Sequence, residues 1–199
     1  LRDILKDHRR VVFDGDNYSE EWHEEAQVRG LPNLRTAADA IPAFNTDKAK
    51  LLFDHYGILS NRELSAREEV LLEQYCTVVG IEARTLINML STQILPAAMR
   101  YQYELAVQVK ATMDISVNCE RSTGRLHDMA SLTESLQESI ETLHTAEQTE
   151  HDNTLSHAQY VRDTLLPSME MARIISDQME ELIPDDVWPL PSSSEMLFV

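Results

Sequence analysis

Leu71-Leu-Glu-Gln-Tyr-Cys-Thr-Val-Val-Gly-Ile-Glu-Ala-Arg-Thr-Leu-Ile-Asn-Met-Leu90 is the stretch whose periodicity decides the fold. It belongs to a longer pattern from Ser60 to about Val117. Leu64, Leu71, Tyr75, Val78 and Val79 make one line at spacings of three and four, and Leu72, Cys76, Val79, Ala83, Leu86 and Leu90 make a second beside it. A surface helix carries one such line, so two predict a central helix touched from several sides. Ser60 and Glu63 fit a capping box at its start. Pro96 lacks the N–H that would reach the Thr92 carbonyl and disfavours helical backbone at Leu95, which predicts a kink. Helix formers resume from Ala97 to Val109, so the kink is not an end.

The 199 residues are 43% hydrophobic and contain only five Gly and seven Pro, which suits one sizeable helical core better than a many-stranded sheet. Asp and Glu total 34 against 17 Lys and Arg, a formal net charge of -17. A field of that sign repels nucleic acid and anionic membrane surfaces. The longest uncharged run, Thr85 to Met99, carries Asn, Ser, Thr, Gln and Pro and falls short of the roughly 20 apolar residues a bilayer requires. Cys76 and Cys119 form neither a CxxC pair nor a set with His at ligand spacing, so they read as two buried free thiols of a reducing, cytoplasmic protein. Leu1 to His8 opens on a charged helical end without a methionine or a leader, like the tail of an element begun upstream.

Residues 1–59 read as short helices and loops. A β-branched run at Arg9 to Phe13 and the turn cluster Asp14-Gly-Asp-Asn17 predict a short extended segment and a tight turn. Ser19 caps a helix that Gly30 ends, with Trp22, Ala26 and Val28 facing inward. Asp14, Asp16, Glu20, Glu21, Glu24 and Glu25 crowd this stretch, but their order does not follow an EF-hand loop. Thr36 and Thr46 cap two further short helices, the second ended by Gly57, and Leu34, Ile41, Phe44, Leu51, Leu52 and Phe53 are expected to pack on the long helices.

Beyond the long kinked helix, 60–121, and a turn at Asn118 to Gly124, two one-striped helices follow. Leu126, Met129, Leu132, Leu136, Ile140 and Leu143 form the first stripe; Leu155, Ala158, Val161, Leu165, Met169, Ala172, Ile175, Met179 and Leu182 form the second. Divided by the polar His151-Asp-Asn-Thr154, they predict an antiparallel helix hairpin over 125–183. Met169, Met171 and Met179 read as filler of its seam. No Lys or Arg lies between Leu126 and Val161, so the hairpin is acidic; His127, His144, His151 and His157 lack the i, i+4 spacing of a one-helix metal site and read as exposed. The closing 184–199, rich in Pro at 184, 189 and 191 and ending Glu195-Met-Leu-Phe-Val199, reads as an extended strap docked on a core. The fold class is therefore mainly α, a helical bundle, and no residue is nominated as catalytic, cofactor-binding or metal-ligating.

Several segments in order resemble the C-terminal region of type III glutamine synthetases: Lys6-Asp-His-Arg-Arg-Val-Val-Phe-Asp-Gly-Asp-Asn-Tyr-Ser-Glu-Glu-Trp22, Glu25-Ala-Gln-Val-Arg-Gly-Leu31, Thr46-Asp-Lys48 ahead of Gly57, Gln93-Ile-Leu-Pro96, Trp188-Pro-Leu-Pro191 and Met196-Leu-Phe198. Asp14, where Asn is usual, and Ser192 to Ser194, where an aromatic is common, depart from the pattern. The resemblance implies that 1–199 is a single helical C-terminal domain of a larger enzyme that joins ammonia to glutamate using ATP and Mg or Mn. It places the catalytic barrel upstream and implies assembly as a dodecamer of two stacked hexameric rings. This chain itself would then hold no cofactor and be inactive alone, acting in structure, oligomerisation or regulation. The alternative from another class is a free-standing acidic interaction module with a coiled-coil arm.

Overall fold

The computed structural model describes residues 2–191 and Met196; the tail residues Glu195 and Leu197 to Val199, and Ser192 to Ser194, lie outside the described residues. The chain divides into two compact units, residues 1–64 and 65–199. The described residues contain helices and no strand.

In the first unit, α1 (Arg2–Asp7) is followed by a 3-10 turn at Arg9–Val11, and extended backbone begins only at Val12, with φ -102° and ψ 124°. The extended segment is shorter than the β-branched run suggests because Val11 and Val12 close back onto the carbonyls of His8 and Arg9. Ser19 caps α2 (Glu20–Val28) by accepting from the Trp22 N–H, and Gly30 stops it at φ 70°. The motif shared with the resembling family builds a knot here. The Phe13 and Trp22 rings stack at 4.5 Å, the Arg29 guanidinium lies 5.6 Å from the centre of Trp22, and its Nη1 donates to the Val12 carbonyl at 2.7 Å. Gly15 passes so close to Phe13 that a Cβ there would sit 2.6 Å from the ring. Thr36 caps α3 (Ala37–Ala40), a 3-10 turn spans Ile41–Asn45, and Thr46 caps α4 (Asp47–His55), which Gly57 ends at φ 60°. The inward assignment holds for Ala26 but not for Val28, which is 87% exposed, and Leu34, Phe44, Leu51 and Leu52 are exposed as well. Helices of four to nine residues turn too few side chains to one side to bury every apolar position.

Ser60 and Glu63 make the expected box: the Glu63 N–H donates to Ser60 Oγ at 3.3 Å, and the Ser60 N–H donates to Glu63 Oε2 at 2.8 Å. The helix they open, α5 (Asn61–Met89), supplies most of its length to the second unit. A π-turn at Leu90–Ile94 joins it to α6 (Leu95–Asp114). The Leu95 N–H reaches back five residues to the Leu90 carbonyl, which widens the helix just where the Pro96 ring would press on the preceding turn. The kink expected at Pro96 thus takes the form of a π-turn. The helix ends at Asp114 rather than near 121, because Ile115 leaves the helical region and Ser116 adopts φ 60°. The turn spans 115–119; Asn118 Oδ1 accepts from the Glu120 N–H and starts α7 (Glu120–Glu147), so Gly124 lies inside a helix.

Six residues later the chain returns through α8 (Thr154–Tyr160), a second π-turn at Val161–Leu165 and α9 (Leu166–Glu180). Pro167 follows this π-turn as Pro96 follows the first, and the same Leu-Pro pair, 166–167, marks it in the sequence. α7 packs against both α6 and α9 and is the middle of a three-helix bundle. Met129, Leu136 and Leu143 from α7, Leu90, Ile94 and Leu105 from the long helix, and Val161 and Met179 from the return are its core. The second line of α5 is buried through Leu72, Cys76, Val79 and Ala83, whereas of the first line only Leu64 and the shared Val79 are buried. Leu71 and Val78 of the first line are exposed and Leu86 is half-buried, so the two-stripe expectation overstates the helix's coverage. Met179 fills the seam, whereas Met171 is exposed. Ile183-Pro184 does not run extended: the Val187 and Trp188 N–H groups turn back to the Pro184 carbonyl, and Ile183 and Trp188 are buried.

Candidate functional site

The carboxylates of the first unit serve the fold. Asp16 Oδ1 accepts from the Tyr18 N–H at 2.9 Å, Glu20 pairs with Arg35 and Glu25 with Arg29, each at 2.8 Å, and Asp14, Glu21 and Glu24 are exposed. Cys119 stands half-buried, not buried as expected, at the exposed start of α7, and Cys76 lies in the core, where burial pushes its thiol pKa up and keeps it protonated.

The histidines divide. His127 and His144 are exposed, as their spacing suggests. His151 and His157 are not: both are half-buried with their rings stacked at 4.7 Å and 15°, and Tyr160 lies 4.4 Å from His151. The correction has a local cause. Asn153 caps α8 through the Ser156 N–H at 2.8 Å while Ser156 accepts from the Asn153 N–H, and this box folds the residues before the helix over its first turns. A separation of six therefore brings the rings face to face across a cap, where one-helix spacing rules find nothing. The flanking pair of His around Asn-x-x-Ser is the signal that was available.

These rings line a cleft of about 710 Å³ between α5 and the hairpin tip, within the second unit. Glu69 and Glu73 of α5 and Glu150 of the tip also line it, as do Glu147 and Arg84, which pair at 2.8 Å. Desolvation first, and the neighbouring His151 second, lower the pKa of His157 from its ordinary 6.5. The neutral ring is thus favoured in the folded state, so its contribution is held above pH 6.5 and lost as the pH falls through the lower folded value. The thermal midpoint is expected to drop more steeply below pH 6.5 than that of His157→Gln; parallel profiles would refute this.

The nucleotide and divalent ion implied by the family resemblance do not fit these residues. The cleft presents four carboxylates and a single guanidinium already paired with Glu147, a lining that repels a triphosphate. Among the described residues no three His, Cys, Asp or Glu converge on a metal position. Nor does any described helix have the length and apolarity to cross a membrane.

Comparison with known proteins places this architecture. Residues 1–113 match the family model described as the glutamine synthetase C-terminal domain. The whole chain aligns at 34% identity with a type-3 glutamine synthetase of Dictyostelium discoideum, covering 28% of it, and at 34% with a glutamine synthetase of Butyrivibrio fibrisolvens, covering 29%. A glutamine synthetase of Bacteroides fragilis is 29% identical over 94% of the chain. The chain thus spans little more than a quarter of the length of these relatives, and it belongs to the glutamine synthetase C-terminal domain family.

Proposed function

We propose that residues 1–199 are the C-terminal helical module of a type III glutamine synthetase, serving an enzyme that joins ammonia to glutamate with ATP. The observation that carries this is the alignment of the entire chain with 28% of a type-3 enzyme. The catalytic barrel, its ATP and its Mg or Mn ions belong to the other three quarters. The module's role is structural or regulatory within a cytoplasmic assembly of two hexameric rings, to which an all-helical bundle with no convergent metal-ligand set among its described residues is suited. The free-standing module with a coiled-coil arm loses its main support, since α7 spends its seam on α6 as well as α9.

The isolated 199 residues are expected neither to hydrolyse ATP nor to form glutamine, while the natural full-length polypeptide does both. Glutamine formation by the purified 199 residues would overturn the assignment of chemistry elsewhere, and a natural polypeptide lacking a ligase barrel would overturn the assignment as a whole.

A further inference from the structure

We infer that the face of the first unit formed by α4 and its flanks is covered by the catalytic portion of the same polypeptide, which rests on the reading of this chain as a C-terminal module. Among the described residues 2–63 only Ala26 and Ala38 are buried. Two alanine methyls are no core, and a unit of about this size is marginally stable even with one. Its shape comes instead from local hydrogen bonds: the caps at Ser19, Thr36 and Thr46, and the bonds from Arg29 to the carbonyls of Arg10 and Val12. Such bonds set the form of a surface without supplying the apolar burial that holds a fold together.

The unspent apolar surface is gathered in one stretch. Phe44, Leu51, Leu52, Tyr56 and Ile58 are all exposed, Leu51 at 73%. Exposed apolar side chains scattered singly are ordinary, but Leu51, Leu52 and Tyr56 line one recess of about 570 Å³, with the charged Lys48 and Asp54 beside them. An apolar centre with a charged rim is the anatomy of a protein contact. Its occupant has to be present whenever the unit is folded, because the unit has no core to hold it otherwise. A continuous chain meets that condition at every protein concentration, through its effective concentration, whereas a second copy does not. The supply of surface is ample: this chain aligns with 28% of a type-3 relative, so the rest of such a polypeptide is more than twice its length. Charge agrees. Residues 1–64 carry nine Lys and Arg against twelve Asp and Glu, but residues 65–199 carry eight against 22. A nearly balanced unit can lie on a protein body, while the acidic remainder sets two copies against each other.

The test uses the full-length polypeptide carrying Leu51→Cys, or Ile58→Cys should the first fail to fold. Thiol labelling at that position, read by peptide mass spectrometry, is expected to be about tenfold or more slower than in the urea-unfolded protein, and equally slow at low and high protein concentration. Photo-cross-linking from position 51 in a mixture of isotopically light and heavy chains then identifies the occupant, with adducts expected on residues preceding Leu1 in the same polypeptide. Weaker protection, protection that grows with protein concentration, or adducts on residues 65–199 or on another copy would each overturn the inference. In a polypeptide that forms glutamine these outcomes bear on this face alone. Absence of a ligase barrel, read from the polypeptide's own sequence, would overturn the module reading and this inference with it.

Discussion

Deletion of residues 126–182 should abolish the cooperative unfolding transition of the second unit. α7 lies between α6 and α9, so its removal uncovers Leu90, Ile94, Tyr101, Leu105 and Val109 along the long helix. Each such side chain is worth roughly 1.5–3 kcal/mol of burial. Five of them together rival or exceed the roughly 5–15 kcal/mol by which a domain of this size is stable. A projecting arm would behave otherwise, leaving the long helix covered by something else and the transition intact. Denaturant unfolding followed by tryptophan-independent circular dichroism distinguishes the two: a sharp transition surviving the deletion would show that the hairpin is an appendage.

Leu136→Ala should be the costliest single truncation of a leucine in the bundle's middle helix, at about 2–5 kcal/mol. The side chain is fully buried and sits half-way between Met129 and Leu143, the other sealed positions of α7, so neighbours on both sides constrain collapse into the space. Glu138→Ala, two residues on and exposed, should fall within about 0.5 kcal/mol of the parent. Urea midpoints at equal slope report the difference. Leu86, which the apolar pattern ranks with the core, should give less than Leu136 because it is only half-buried.

Local chemistry was legible wherever neighbours in sequence decide the outcome. Caps at Ser19, Thr36, Thr46 and Ser60 and the glycine stops at 30 and 57 form as their residue types require, because each needs only three or four consecutive residues. The hairpin was legible too, since every buried apolar residue of 126–143 and 155–182 lies on the two stripes, whose remaining members are half-buried. Coverage was not. Whether Leu71, Val78 or Leu51 meets a neighbour depends on elements far away in sequence, and an apolar residue at helical spacing carries no mark of which face is covered. The cleft escaped for a related reason: its rings come from one cap, yet two of its four carboxylates, Glu69 and Glu73, come from a helix some eighty residues earlier.

The π-turn at Leu90–Ile94 does more than bend the long helix. From Leu72 to Val109, both buried, there are 37 steps, and at about 100° each these amount to roughly ten revolutions and about 100° more. A straight helix would therefore have rotated its later buried residues a quarter-turn away from the wall that its earlier ones face. The wide turn takes up about one surplus residue and cancels that drift. In the grammar of the chain it is a single inserted letter, held silent, that lets two passages written in different phase be read along one line.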